Sequence, residues 1–435
     1  MSFILVSCNT TEPPPDNGKP KPTLSLSLDD TSPTEVWLNL TTTDLELPNE
    51  IILFRDGDTS QIITLTESEI TLYEDSLLPS RTYTYQVSSN QNQAPHMVTS
   101  SNEVSAVTMD TTSHNFTWEV FEFGEHGNSI LRDVAIIDEN NIWAVGAIYL
   151  KDSTGANDSK AYGVVHWNGE NWTPKKLFYN NNSIISSIRG ILILESNDIY
   201  LAAGSIFHWN GVSSNAELVY SRQNLSHPDG TLEKVWGDAS SIYAVGNKGS
   251  IAHYNGTSWR KIESGTDVDL RDVTGNQNGT EIYISGYSTD YSKSVLMKLS
   301  NNVLNVIWEN KTLQDTPPYG STVNSIKLLN NDLFIASNIG VFRKKLKYTL
   351  PDKKLYYPPR WVYKVTGTNV NDTYSVGDRL SITHFNGSSE RQVFIDYSQV
   401  SPLYSADSKE NIIVAVGTKV ENVLYHKAII IKLKR

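Results

Sequence analysis

Carboxylates are the side chains of this sequence that could do acid and base chemistry, and four of them recur in related segments: Asp133, Glu233, Asp238 and Asp272. Glycoside hydrolysis uses two carboxyl groups at a set separation, which the sequence does not fix. The chain has no Gly-x-Ser-x-Gly motif, phosphate-binding loop or dinucleotide fingerprint. We therefore assign no catalytic residue, and a carbohydrate-active hydrolase or lyase stays open as an alternative.

Four histidines recur in a second pattern, His-aromatic-Asn-Gly, at 166–169, 208–211, 253–256 and 384–387. A zinc ion needs its ligands at about 2.0–2.1 Å, whereas equivalent positions of separate repeats lie far apart. The Asn-Gly pairs are turn formers. We expect these histidines to have structural roles, and we expect no metal site and no cofactor.

The elements that must position these residues are seven repeats of about 40–50 residues, each with short alternating strands, which is the signature of a β-propeller blade. The repeats begin near Leu131, Ile184, Thr231, Leu270, Thr322, Lys364 and Pro402. Each contains a bulky residue followed three positions later by a small one: Trp143–Gly146, Leu201–Gly204, Tyr243–Gly246, Tyr283–Gly286, Phe334–Ser337, Tyr374–Gly377 and Val414–Gly417. A tryptophan often follows, as at Trp172 and Trp259, with Trp308 and Trp361 in looser copies.

The last repeat is the shortest and lacks a fourth strand. An isolated strand-like run, 116–123, precedes the first repeat and carries Trp118 where fourth strands carry theirs. Pairing of this run with the last repeat would remove two exposed sheet edges. The sequence therefore predicts a seven-bladed propeller over 113–435, closed by strand 116–123.

The repeats resemble the divergent Trp-rich propeller repeats of bacterial secreted proteins, in the photosystem-assembly-factor and sialidase-like group. The cleanest copy is VWGDASSIYAVGNKGSIAHYNGTSW at 235–259. The chain lacks the Ser-x-Asp-x-Gly-x-x-Trp box of sialidases and the Gly-Gly and Trp-Asp pairs of Kelch and WD repeats. The resemblance implies a fold rather than an activity.

The first strand of each blade lines the central channel, and two positions in it vary. The first holds Arg132, Arg189, Glu233, Arg271, Asn324, Tyr363 and Tyr404; the second holds Asp133, Gly190, Lys234, Asp272, Ser325, Lys364 and Ser405. Such a ring could bind a carboxylate, a sugar or a peptide at the channel mouth. Alternatively, adjacent blades pair these charges with each other.

The amino terminus, Leu5-Val6-Ser7-Cys8, resembles the lipobox of bacterial lipoproteins. The resemblance implies that a diacylglycerol modifies Cys8 and that 1–8 is a truncated lipoprotein signal. Residues 9–22 are rich in proline and polar residues and have no apolar period, which favours an extended tether. We expect a secreted protein, anchored to a membrane of the bacterial cell envelope.

Residues 23–112 contain seven short β runs, the number expected of an immunoglobulin-like sandwich. Within LLPSRTYTYQV (77–87), the spacing of Leu77, Pro79 and Tyr83 resembles that of fibronectin type III domains. The resemblance implies that the Tyr83 hydroxyl bonds back to the backbone. The expected fold class is thus all-β: a fibronectin type III-like sandwich followed by the propeller.

The charge is concentrated in this first domain. Residues 22–110 hold 14 acidic and two basic residues and so carry the whole net charge of −12. Nucleic-acid binding needs a basic footprint, and we expect no nucleic-acid partner. The single Cys excludes an intramolecular disulfide.

Two functions fit these observations. The first is a non-enzymatic envelope lipoprotein whose propeller binds a glycan or protein partner, with the first domain as a spacer. The second is the hydrolase or lyase using carboxylates at the channel mouth. The ligand and the oligomeric state are not determined by the sequence.

Overall fold

The computed structural model describes residues 21–89, 99–180, 183–276, 279–301, 303–310, 318–358 and 361–435. Cys8 and tether residues 9–20 lie outside these ranges. The chain divides into two compact units, unit 1 (Met1–Asp110) and unit 2 (Thr111–Arg435). Regular structure in both described units is almost entirely β.

Unit 1 packs a three-stranded sheet, in the order β1-β2-β5, with a four-stranded sheet, in the order β4-β3-β6-β7, around one hydrophobic core. Alternation with serine buries Leu24 and Leu26, whereas Leu28, the last of the three before a shift in strand register, is 41% exposed. The strands are β1 (Thr23–Thr31), β2 (Val36–Thr43), β3 (Asn49–Arg55), β4 (Asp58–Leu65), β5 (Glu69–Glu74), β6 (Thr82–Ser89) and β7 (Val104–Val107).

Tyr83 is buried in unit 1, and its hydroxyl accepts a hydrogen bond of 2.9 Å from the N–H of Leu78. The Arg81 guanidinium lies 4.9 Å from the centre of the Tyr83 ring. Tyr83 thus ties the start of β6 to the loop before it, which is the contact that the resemblance implies.

The described part of unit 2 contains seven four-stranded antiparallel sheets, numbered 1 to 7 by their first strand, and the two-stranded ribbon β13 (Leu177–Tyr179) and β14 (Ser183–Ile185). A single-turn 3-10 helix spans Arg222–Asn224. The innermost strands are β9 (Ile130–Asp138), β15 (Gly190–Glu195), β19 (Lys234–Asp238), β23 (Leu270–Gly275), β27 (Val323–Leu329), β31 (Val362–Asn369) and β35 (Leu403–Lys409).

The other strands follow outward in each sheet. The second strands are β10 (Asn141–Ile148), β16 (Asp198–Ala203), β20 (Ser241–Val245), β24 (Glu281–Tyr287), β28 (Asp332–Ser337), β32 (Asp372–Gly377) and β36 (Ile412–Asn422). The third strands are β11 (Tyr162–Trp167), β17 (Ser205–Trp209), β21 (Ile251–Tyr254), β25 (Ser294–Ser300), β29 (Gly340–Lys345), β33 (Ser381–Phe385) and β37 (Tyr425–Lys434). The outer strands are β12 (Trp172–Lys175), β18 (Glu217–Tyr220), β22 (Trp259–Ile262), β26 (Val303–Asn310), β30 (Lys353–Tyr356), β34 (Glu390–Phe394) and β8 (Thr117–Phe123).

The seven innermost strands contact one another in sequence, and β35 of sheet 7 returns to β9 of sheet 1. The sheets therefore form a closed, propeller-like ring around a channel. The ring is closed by β8, which pairs antiparallel with β37 over Thr117–Phe123. This is the pairing that the short seventh repeat leads one to expect.

Hydrophobic cores lie between successive sheets, and the bulky residue of every repeat but the fifth belongs to them. Trp143 of sheet 1 packs with Leu201 of sheet 2, and Tyr243 of sheet 3 packs with Ile284 of sheet 4. Burial of a large apolar side chain is worth about 1.5–3 kcal/mol. The repeated aromatic position therefore stabilises the contact between one sheet and the next.

One tryptophan assignment was wrong. Trp118, Trp172, Trp259 and Trp308 lie on outer strands, but Trp361 directly precedes the innermost strand of sheet 6. Its ring lies 5.7 Å from that of Tyr291. Trp361 thus belongs to the end of the channel where the innermost strands begin.

Candidate ligand-binding site

Five innermost strands begin with a β-bulge, and the bulge explains why two consecutive residues face the channel. The register of β9 against β10 shifts between Leu131 and Asp133, so that Arg132 is the extra residue. Two residues then oppose one, and the usual alternation of faces is interrupted. The other four strands have the same shift, and their extra residues are Arg271, Asn324, Tyr363 and Tyr404.

The small residue of the repeat makes room for this bulge. A Cβ atom on Gly146 would lie 2.1 Å from the carbonyl oxygen of Ile130, and one on Gly377 would lie 2.0 Å from that of Trp361. Gly246, Gly286 and Gly417 are equally close to the backbone of their innermost strands. In these five repeats the glycine of the motif is therefore required by close backbone approach.

The extra residues and their counterparts in sheets 2 and 3 form what we call the mouth ring: Arg132, Arg189, Glu233, Arg271, Asn324, Tyr363 and Tyr404. One side of this ring is cationic. Glu233 accepts a 3.4 Å contact from Arg189 and lies 3.9 Å from Arg271, which also pairs with Asp269 at 3.0 Å. No carboxylate of the described residues forms an ion pair with Arg132. Burial and the nearby Arg189 lower the pKa of Arg132.

The other side of the mouth ring is aromatic. The Arg132 guanidinium lies 4.5 Å from the centre of the Tyr404 ring, which is 5.4 Å from Tyr363. Tyr287 lies 5.1 Å from the guanidinium of Arg271 and 6.5 Å from Trp361. Burial raises the pKa of Tyr287, Tyr363 and Tyr404, so that their hydroxyls stay protonated. The Tyr363 hydroxyl is hydrogen-bonded to Asp378.

The second residues of each pair lie deeper and form what we call the tie layer: Asp133, Gly190, Lys234, Asp272, Ser325, Lys364 and Ser405. Two ion pairs in it each span a sheet. Lys234 of sheet 3 reaches Asp133 of sheet 1 at 3.0 Å, past Gly190, which has no side chain. Lys364 of sheet 6 reaches Asp272 of sheet 4 at 2.7 Å, past Ser325.

The tie-layer carboxylates also hold the edges of neighbouring strands. Asp133 accepts hydrogen bonds from Ile191 N–H at 3.3 Å and from the Ser405 hydroxyl at 2.6 Å. Asp272 accepts the equivalent bonds from Ile326 N–H at 3.1 Å and from the Ser325 hydroxyl at 2.5 Å. Innermost strands have no further strand on their channel side, so their N–H groups need such partners.

Electrostatics fix the ionisation of the tie layer. Burial opposes the charge on Asp272, but Lys364 and Lys234 outweigh it and lower the pKa of this carboxyl group. Burial likewise opposes the charge on Lys364, but Asp272 and Asp133 outweigh it and raise the pKa of this ammonium group. The Asp272 carboxylate is thus held ionised by the fold, with its lone pairs engaged.

Two channel residues were missed by sequence reasoning. Lys327 and Asp407 lie two positions after Ser325 and Ser405, on the same side of their strands, so continued alternation could have found them. They line a cavity of about 300 Å³ below the tie layer. Asp407 accepts hydrogen bonds from the N–H groups of Ile136 and Ser408, both at 2.9 Å.

The motif histidines bond within their own sheets. Nε2 of His166 lies 2.9 Å from Asn141, and that of His384 lies 3.1 Å from Asp372. The rings of His166, His253 and His384 also stack on an aromatic residue of the neighbouring strand, at 3.9 Å from Trp143 in sheet 1. The His208 ring is tilted against that of Tyr200, at 5.0 Å. The same place is taken by Lys298 in sheet 4, which pairs with Glu281. The four histidines therefore orient strand pairs. Within the described ranges, no three His, Cys, Asp or Glu side chains are grouped so that they could hold a metal ion.

Comparisons with known proteins bear on the fold. No protein-family model matches the chain, and no curated protein matches it. A propeller-like chain in the crystal structure of the mitotic checkpoint complex aligns with a TM-score of 0.50 and 9% identity, covering 73% of this chain and 91% of that one. The computationally designed Ika8 protein aligns with a TM-score of 0.46 and 11% identity, covering 72% of this chain and 99% of that one.

The checkpoint-complex likeness supports a propeller-like, all-β architecture and nothing further. The described residues include no helix of the length and apolar character that a membrane span requires.

Proposed function

We propose that this protein is a non-enzymatic lipoprotein of the bacterial cell envelope whose seven-bladed β-propeller binds a carboxylate-bearing partner at the mouth ring. Cys8 carries the lipid, residues 9–22 form the tether, and unit 1 is a fibronectin type III-like spacer. We place the partner among glycans rather than proteins because of the chemistry of the two sides of the ring.

The single observation that carries this proposal is the division of the mouth ring. Arg132, Arg189 and Arg271 present guanidinium groups that bind carboxylates by paired hydrogen bonds. Next to Arg132, Tyr404 and Tyr363 present ring faces and protonated hydroxyls. An acidic sugar has a carboxylate for the first side, and C–H groups and hydroxyls for the second.

The tie layer argues against the hydrolase or lyase alternative. A catalytic carboxylate must be free to take or give a proton or to attack. Asp133 and Asp272 each accept a backbone N–H, a hydroxyl and a lysine ammonium. Both groups are committed to holding adjacent sheets.

The fibronectin type III proposal for unit 1 is supported by its strand order. A sheet of strands 1, 2 and 5 facing a sheet of strands 4, 3, 6 and 7 is a sandwich with Greek-key connections. The hydrogen bond from Leu78 N–H to the Tyr83 hydroxyl is the second support.

Binding is tested with the full chain on an array of glycans that carry uronic or other sugar acids, each beside its carboxyl-reduced form. We expect saturable binding to the acidic forms and at least tenfold weaker binding by Arg132→Gln. The matched control, Arg391→Gln, removes the same charge from an exposed position on β34. Equal binding to the reduced glycans, or binding only to proteins, contradicts the glycan assignment.

Two further assays address the remaining parts. Release of reducing ends by the wild type, lost in Asp133→Asn and Asp272→Asn, would establish the enzyme alternative. For localisation, Cys8→Ser is expected to abolish incorporation of labelled fatty acid and to move the protein out of the membrane fraction. Unchanged membrane association in Cys8→Ser would refute the lipid anchor.

A further inference from the structure

A second candidate site lies in the channel below the tie layer. We call it the lower cavity. It has a volume of about 300 Å³ and extends from the tie layer to the ends of the innermost strands, at Ile137, Leu194 and Lys409. This volume is at the lower end of the range of small-molecule pockets, about 300–1,000 Å³. The residues that line the lower cavity do not include those of the mouth ring. Each mouth-ring residue lies one position before a tie-layer residue in the sequence.

The lower cavity is amphipathic. Sheets 1 to 3 contribute apolar side chains, among them Ala135, Leu192 and Trp236, together with the charged residues Asp133, Glu195 and Lys234. Sheets 4 to 7 contribute Thr274, Lys327, Thr366 and Asp407 to the opposite wall. An apolar wall facing hydrogen-bonding groups is the arrangement that fixes the orientation of a small organic ligand.

Four lysines line this region, and they differ in their partners. Nζ of Lys409 donates a hydrogen bond of 2.8 Å to the carbonyl oxygen of Ile137. Lys234 and Lys364 are paired with Asp133 and Asp272. Among the described residues, no acceptor lies within hydrogen-bonding distance of Nζ of Lys327, and no carboxylate lies within ion-pair distance. The largest acidic influence on it is Asp407, whose two oxygens each accept one backbone N–H.

Burial lowers the pKa of the Lys327 ammonium group, and the positive charge of Lys364 adds to this effect. An anion placed beside Nζ would raise the pKa again, because it favours the charged form. A ligand with a carboxylate would therefore supply the partner that the fold does not.

We propose that the lower cavity binds a small carboxylate with an apolar body. The ammonium group of Lys327 donates hydrogen bonds to the ligand carboxylate, and the apolar body of the ligand lies against Leu192 and Trp236. This site lies beyond the proposed function of the mouth ring and is independent of it.

Fluorine NMR of the full chain with 4-fluorophenylacetate tests the proposal, with the neutral amide 4-fluorophenylacetamide as a comparison ligand. We expect the acid to bind at least tenfold more tightly than the amide. Lys327→Met should weaken binding of the acid at least tenfold, whereas Lys261→Met, on the outer strand β22, should not change it. Arg132→Gln should also leave it unchanged, which separates this site from the mouth ring.

The proposal is overturned if the acid does not bind, if acid and amide bind equally, or if Lys327→Met retains full affinity. Should Lys327→Met fail to fold, the wild-type protein provides a second measurement. Trace acetylation, read by mass spectrometry, is expected to show that 4-fluorophenylacetate slows modification of Lys327 several-fold relative to Lys261. No protection of Lys327 would overturn the proposal.

Discussion

The mouth ring and the tie layer consist of consecutive residues on the same strands, yet their charged groups have different kinds of partner. In the tie layer each lysine has its own aspartate, and each aspartate also holds an N–H of a neighbouring strand. In the mouth ring two arginines share Glu233, and Arg132 contacts an aromatic ring instead of a carboxylate of the described residues. A charged channel is therefore a candidate ligand site only where the fold has not already used its hydrogen-bonding groups.

The largest expected effect of a single change is in the tie layer. Asp272→Leu leaves Lys364 buried without its partner and Ile326 N–H without an acceptor, which is expected to cost about 3–5 kcal/mol. Urea unfolding of the full chain measures the loss in the unit 2 transition. The double variant with Lys364→Met should recover part of it, because no unpaired charge then remains. A loss below about 1 kcal/mol would mean that the tie layer does not hold the ring.

The bulge that separates the two layers can be broken at its glycine. Gly146→Ala places a Cβ against the Ile130 carbonyl, and the required backbone shift is expected to cost about 1–3 kcal/mol. It should also weaken ligand binding at Arg132, since the bulge positions that residue. The control is Ser153→Ala, at an exposed position of the loop after β10. Equal thermal stability of the two variants would contradict the role of the bulge.

The distinction between hydrogen-bonding groups that have a partner and those that are free also applies just before the closing strand β8. Nδ1 of His114, just before β8, lies 2.8 Å from Nδ1 of His384, so that at least one of the two imidazoles must be neutral. Burial, followed by His384, lowers the pKa of His114 to about 4. Arg391 and Arg435 also oppose its protonation, whereas Asp372 hydrogen-bonds to the far side of His384.

A histidine whose pKa is lower in the folded protein than in the unfolded chain binds its proton more readily in the unfolded chain. The stability it supports is therefore complete above the unfolded value of about 6.5 and is lost as the pH falls towards 4. We expect the melting temperature to fall between pH 6.5 and 4, and His114→Gln to flatten that slope. His227→Gln, in the loop after the 3-10 helix, is the control. An unchanged slope in His114→Gln would show that this contact does not titrate with folding.

The smallest effect on stability is expected at the mouth ring. Arg132→Gln removes a group without a carboxylate partner among the described residues, so the free energy of unfolding should change by about 1 kcal/mol or less. The same variant is expected to lose most of its glycan affinity. A stability loss as large as that of Asp272→Leu would erase the distinction between the two layers.

Several features of the fold were accessible from sequence because they repeat. The bulky residue and the glycine three positions later mark every second strand except that of sheet 5, which has Ser337 in place of glycine. The short last repeat and the run at 116–123 predict a pairing that β8 and β37 make. Trp361 was misassigned because a tryptophan near a repeat boundary can close one sheet or begin the next, and spacing alone does not distinguish them.

The sequence by itself determined the strands and their number in each repeat, because alternation and close backbone packing are local requirements. Only the tertiary structure decided which channel charges are engaged. Lys234 forms an ion pair with Asp133, and Lys364 forms one with Asp272, in each case across an intervening sheet. These ion pairs depend on the closure of the ring. They also depend on the bulges, which place two consecutive residues at different depths in the channel. For the same reason Lys327 became distinct from the other channel lysines only when its neighbours were in place.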